Sequence, residues 1–443
     1  MALPQEFDYA SAIKPSAAAA RGYSARLFPE AGTEFQGGSV INIDIPAGRP
    51  GEYLRATESS LMFTITNSGT AAANANDAML DGGAWAVIKK LEIFHGAALL
   101  ESIDNYNVLH SMLYDVTTSQ AYRTGVGNLI HGTNTSANVG SITTTVIKGV
   151  TIAESGGKVH VALQLASCLV GTLAERMIPL GLLSSDIRIR IEIASDASAY
   201  YHASAGAAPV IKYTDFEYNA VLVALDPSVD QAVASENSGV LSMHTSSFRS
   251  YTHSITRDCV FDVLQLPVRF SSLRYMIHAL QPSSNAAEKQ SYSIGARETA
   301  NVTQLQYRMG SLLVPQRPLK MSSGLTGNGA ELTEQLLRIF GKLQSMGDDF
   351  GVVMTDKSIF LKNDVSANAT LGTAILGCDL NAFGGNLDDL ANSGQNLLST
   401  PVSLEITFDA TNKAPHDLRV TTFASFDQLL MLDMQTGLLS VRF

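Results

Sequence analysis

Chemistry would be sought first where a hydroxyl lies beside an imidazole, and His244-Thr245-Ser246-Ser247 is such a place. Acyl transfer needs its serine on a sharp Gly-x-Ser-x-Gly turn, which this sequence lacks, so Ser246 and Ser247 read as loop polarity. Asp388 and Asp389, close to Asn386, bring together the oxygens that a hard cation takes, but a solvated loop is the simpler reading. The run Gly324-Leu325-Thr326-Gly327-Asn328-Gly329 precedes a helix without the Lys-Ser/Thr pair of a phosphate loop. The histidines never fall at His-Glu-x-x-His or other ligand spacing, and the single tryptophan, Trp85, is explained by packing. The sequence therefore predicts no catalytic, cofactor-binding or metal-ligating residue, and no enzyme.

Composition narrows the field further. In 443 residues only 16% are charged and 45% are hydrophobic, with a net charge of −11. A surface so poor in charge is expected to be covered by partners rather than by water. The acidic balance speaks against sequence-specific nucleic-acid binding as the main task. No Lys/Arg-rich arm opens the chain, where Lys14, Arg21 and Arg26 are set against Glu6, Asp8, Glu30 and Glu34. Cys168, Cys259 and Cys378 are odd in number and far apart, which predicts free thiols and a reducing compartment. Nothing resembles a signal peptide, and the sequons at Asn134, Asn301 and Asn368 are read as chance matches.

The elements that would carry these residues are strands. Asp186-Ile187-Arg188-Ile189-Arg190-Ile191-Glu192-Ile193 alternates isoleucine with charge, a pattern only a half-buried strand can use. It is followed by a second strand through Phe216 to Asp226. The same order returns about two hundred residues later, as Pro401 to Phe408 and then Val420 to Asp433. The chain is thus expected to hold two similar β modules in tandem. The predicted division is an irregular N-terminal arm over 1–37, a first module over 38–226, a linker over 227–241 and a second module over 242–443. Strands are expected at Val40–Ile45, Leu61–Thr66, Trp85–Phe94, Val260–Leu264, Leu273–His278 and Gln304–Met309, with a hairpin joining 142–152 to 159–165 through Ser155 to Lys158. Val314 to Pro318 reads as a proline-rich corner. Two helices are expected, one carrying Leu100 to Leu113 behind an N-cap at Ser102 or Asp104, the other over Glu331 to Leu343.

Leu91-Glu92-Ile93-Phe94-His95-Gly96, then Leu100 to Leu109, Ile178-Pro179-Leu180 ahead of the alternating strand, and Gly437 to Phe443 resemble the double jelly-roll major capsid proteins. That family builds tailless icosahedral DNA viruses: adenovirus, lipid-containing phages, virophages and Polinton-like viruses. The resemblance implies an all-β fold of two tandem eight-stranded antiparallel sandwiches with a few short helices in loops. It implies a homotrimeric, pseudo-hexameric capsomer that tiles an icosahedral shell around the genome, in a virion assembled inside the host cell. It further implies neighbouring capsomers, penton and minor or cement proteins as partners, and an N-terminal arm facing genome or internal membrane. The rival readings are a single jelly-roll capsid protein with a protruding domain and a tandem jelly-roll enzyme acting on glycans.

Overall fold

The computed structural model describes residues 20–69, 77–136, 146–174, 176–202, 209–237, 239–286, 291–322, 327–340, 357–366, 371–381 and 394–443. Within them, beside shorter strands such as Glu52–Leu54 and Leu438–Arg442, the chain lays down two successive sets of eight principal strands. The first set is β1 (Ala20–Leu27), β2 (Val40–Ile45), β3 (Ser60–Asn67), β4 (Ile88–His95), β5 (Ala98–Asp104), β6 (Gly157–Leu163), β7 (Ile187–Ile193) and β8 (Ile211–Leu225). The second is β9 (Val240–Ile255), β10 (Phe261–Leu266), β11 (Leu273–Pro282), β12 (Val302–Met309), β13 (Leu312–Lys320), β14 (Leu376–Asp379), β15 (Val402–Phe408) and β16 (Leu418–Asp433).

Antiparallel pairing orders the first set as β1-β8-β3-β6 in one sheet and β2-β7-β4-β5 in the other. The second set repeats this strand for strand, as β9-β16-β11-β14 and β10-β15-β12-β13. Each set is a jelly roll, and the expected echo between 186–226 and 400–433 is the seventh and eighth strand of each. A single sandwich with a protruding domain is excluded by the second set.

The isoleucine strand shows why the sequence folds this way. Ile187, Ile189, Ile191 and Ile193 of β7 are all fully buried, at roughly 1.5–3 kcal/mol each. On the opposite face Arg188 grips Asp44 of β2 through two 2.8 Å hydrogen bonds, and Arg190 lies 3.5 Å from Glu92 of β4. The charged half of the alternation is laced across the strands.

Several expectations need correction. The arm predicted as irregular over 1–37 contains β1, which pairs with β8 from Ala20↔Leu225 to Leu27↔Tyr218; residues 1–19 lie outside the described residues. The linker over 227–241 holds a helix, α3 (Ser228–Glu236), and the first residues of β9. Asp230 fixes that helix by accepting hydrogen bonds from the Gly51 amide (2.6 Å) and the Tyr53 hydroxyl (2.7 Å). Residues 84–87 form a 3-10 turn ahead of β4. The expected hairpin does not form: β6 pairs with β3, Thr151–Ile152 pairs with Met79 and Ala78, and Val146–Gly149 pairs with Thr133–Ser136. The proline-rich corner is instead β13, an edge strand, where missing N–H groups are tolerated.

Both jelly rolls carry their longest helices between the fifth and sixth strands. In the first, α1 (Tyr106–Thr117) follows β5 directly, with Asn105 rather than Ser102 or Asp104 at its N-cap. A further helix, α2 (Val126–His131), stands where only loop was expected. In the second, α4 (Ala330–Ile339) buries Leu332 and Leu336 and pairs Glu334 with Arg338 on its wet face. Its predicted last turn, residues 341–343, falls outside the described residues.

Candidate functional site: the joint between the sandwiches

Of the residues singled out for chemistry, those among the described residues make other contacts. Ser247 is buried and donates to Glu101 Oε1 at 2.7 Å rather than to His244. His244 Nε2 lies 3.4 Å from Asp427 Oδ1, and the hydroxyl of buried Ser272 donates to the same carboxylate. Asp427 therefore stands between the imidazole and the serine, so the base has no nucleophile to activate. Asp388, Asp389, Asn386 and residues 324–326 of the glycine run lie outside the described residues. Trp85 is fully buried against His110 and Tyr114, with ring centroids 5.0 and 4.4 Å apart. All three cysteines are free.

What the fold does assemble is a polar joint between the two jelly rolls. Edge strand β5 of the first meets edge strand β9 of the second, and side chains make the bond. Glu101 of β5 is buried and accepts hydrogen bonds from Ser247 of β9, from the Ser167 hydroxyl, and from the Cys168 amide at 3.3 Å. Burial pushes its carboxyl upward, opposed by those donors. Gln428 Nε2 donates to the Leu100 carbonyl at 3.1 Å, and Asn105 Nδ2 to Thr252 Oγ1 at 3.3 Å.

Two further buried acids clamp the loops. Asp81 accepts the amides of Ser293 (2.7 Å), Ile294 (2.6 Å) and Gly295 (2.9 Å), while burial raises its pKa to about 6. Asp115 of α1 contacts Arg297 of the second jelly roll, and Arg123 Nη2 lies 3.9 Å away on its other side. All three are at most 4% exposed, so two guanidinium groups share one nearby carboxylate in a dry place. The ring of Tyr201 stacks on that of Tyr292 at 4.8 Å. Apart from Asp115 and Arg123, none of this was legible from spacing, because the partners are 66 to 328 residues apart.

Beside the joint lies a cavity of about 320 Å³, bounded by His110, Tyr114 and His131 on one side and Phe248, Tyr275 and Phe340 on the other. Burial lowers both histidines to about 4; for His110 the neighbouring His131 adds to the effect.

At the second jelly roll Glu298, Asp364 and His416, from three different loops, could be read as a metal set among the described residues. The geometry favours a proton instead. His416 turns Nε2 to Glu298 and Nδ1 to Asp364, 3.7 Å away, so the ring separates the two carboxylates. Burial works against the imidazolium, but the hydrogen bond and charge of Glu298, then Asp364 and Asp417, outweigh it and raise the pKa. A raised histidine stabilises the fold below its unfolded value of 6.5, and that contribution is lost as pH rises through the folded value. His416→Gln is therefore expected to lower stability at pH 6 by about 1–3 kcal/mol in urea titrations, the gap to wild type narrowing as pH rises. An equal gap at pH 6 and pH 9 would contradict the bridging role.

The two repeated sheet orders define the fold class: a double jelly roll. No protein-family model and no curated protein sequence matches the chain. Solved structures do. VP54 of PBCV-1, fitted into a reconstruction of the virophage Sputnik, matches with a TM-score of 0.59 at 10% identity over 97% of this chain and 98% of that one. The Faustovirus major capsid protein gives 0.59 at 8% identity over 94% and 91%, and that of mavirus 0.53 at 11% over 100% and 95%. These likenesses span both sandwiches and show the fold.

Proposed function

We propose that this protein is a viral major capsid protein, a structural subunit rather than an enzyme, whose three copies form a pseudo-hexameric capsomer that tiles an icosahedral shell around the genome. The observation that carries the reading is the repeat itself: two jelly rolls of identical strand order, welded side by side in one chain. A rigid pair of similar units is what a six-sided tile made from three chains requires. The flanks fit that use, for large apolar residues stand exposed on them, among them Phe28 (64%), Phe261 (54%) and Leu312 (52%). The ladders of β1 and β9 support moving the start of the first unit to 20 and of the second to 240. Neighbouring capsomers, penton and minor or cement proteins are the partners of this reading, the virion its location, and the genome or an internal membrane the contact of the N-terminal residues. Among the described residues no helix is long and apolar enough to cross a membrane.

Purified protein is expected to run as a trimer, near three times 47.2 kDa, and to stay so in high salt because its contacts are apolar. Light scattering with mass detection decides the matter, and a monodisperse monomer at micromolar concentration would remove the reading. The glycan-enzyme alternative has no support in the placement of Ser247, His244 and Asp427.

A further inference from the structure

Beside the contact of Asn105 with Thr252, a cavity of about 290 Å³ is walled by both jelly rolls. The first supplies Lys89 of β4, Glu192 of β7, Ser195 and Ser198 from the turn after β7, and Asn105 at the head of α1; the second supplies Arg419 of β16. The charges on these walls do not cancel. Lys89 Nζ lies 2.7 Å from Glu192 Oε1, so those two neutralise each other and Arg419 is left over.

Arg419 differs from other arginines that the fold covers. Arg123 and Arg297 share Asp115, and Arg274 lies 3.8 Å from Asp427. Arg419 has a neutral partner instead: its Nη2 donates at 2.9 Å to Oε1 of Gln281, its cross-strand neighbour on β11. Gln281 is fully buried, and its own amide donates to the Ser293 carbonyl at 2.5 Å. Nε of Arg419 is buried without an acceptor, and Nη1 has none among the described residues. Asp262 lines a second cleft that Arg419 also reaches, but forms no ion pair with it. A guanidinium drawn out of water without a counter-charge is costly, and an anion entering from outside removes that cost.

We propose that this cavity binds a tetrahedral oxyanion, a phosphate or sulfate group, with Arg419 as its counter-charge. The donors on the walls select that class. A carboxylate presents two oxygens to one side, which a single guanidinium satisfies. Here Arg419, the Ser195 and Ser198 hydroxyls, 3.0 Å apart, and the Asn105 amide come from three different elements, and together they suit oxygens that point several ways. At about 290 Å³, against roughly 150 Å³ for a cavity that takes benzene, there is room for a sugar ester as well as for the free ion. The site lies within one chain and does not rest on the capsomer reading.

The test is calorimetric titration of the full chain with inorganic phosphate, inorganic sulfate and glucose 6-phosphate, at an ionic strength held constant with sodium chloride. Wild type is expected to bind, and the order of affinities tells a free ion from an ester. Arg419→Met is expected to weaken binding about tenfold or more. In thermal melts phosphate should raise the midpoint of wild type above that in chloride and leave the variant unmoved. Ser195→Ala combined with Ser198→Ala, neither of them buried, is the second variant and should weaken binding about fivefold even if Arg419→Met does not fold. Absence of binding to all three probes, chloride acting as well as phosphate, or affinity unchanged in the variants would overturn the proposal.

Discussion

Replacing Asp115 with alanine is expected to cost about 3–5 kcal/mol, the penalty for leaving buried charge uncompensated. Asp115 is 4% exposed and touches Arg297, with Arg123 beyond it, each guanidinium 1% exposed. With the carboxylate gone, two buried cations lose the anion they both contact. The thermal midpoint should fall on the order of 10 °C. Adding Arg297→Met to Asp115→Ala should recover much of the loss, since an apolar side chain asks for no counterion. A single variant within roughly 1 kcal/mol of wild type in urea would show that the pair does not hold the sandwiches together.

The second large effect is a change in acid sensitivity. His110 and His131 have folded pKa values lowered to about 4 from 6.5. A lowered histidine leaves stability intact above 6.5 and removes it as pH falls toward the folded value, because the unfolded chain takes up protons first. Between pH 7 and pH 5 this amounts to about 2 kcal/mol per histidine. Asp81 and Asp196, both raised to about 6, act in the opposite direction, protonating first in the folded state. The quantity to measure is therefore the difference between wild type and a His110→Gln, His131→Asn variant. Wild type is expected to lose about 4 kcal/mol relative to the variant between pH 7 and pH 5, and parallel pH profiles would refute the assignment.

The elements best read from sequence are those whose face is set by periodicity. β7 alternates because one side meets the core and the other meets Asp44 and Glu92, and both demands are written locally. β1 was missed because Ala-Arg-Gly-Tyr-Ser-Ala-Arg-Leu carries small residues at an edge, where pairing with β8 and not its own pattern makes it a strand. The hairpin expected at Ser155 failed for a related reason: the turn is real, with positive φ at Ser155 and Gly156, but the strand after it finds β3. The joint was invisible because Glu101, Asp81 and Asp115 look like ordinary surface acids until folding buries them.

The short tether α3 has a consequence for how charge is distributed. Because it fuses the two jelly rolls, the contact of β5 with β9 forms once, during folding, and need not be exposed again. Carboxylates such as Glu101 can therefore be dehydrated there by the same event that shapes their donors. Surfaces that wait in water for another copy have no such shelter, and any ion on them would shed its hydration at each encounter. Apolar side chains such as Phe261 and Leu312, exposed on β10 and β13, carry no charge to dehydrate, and the buried acids are kept where the union is permanent.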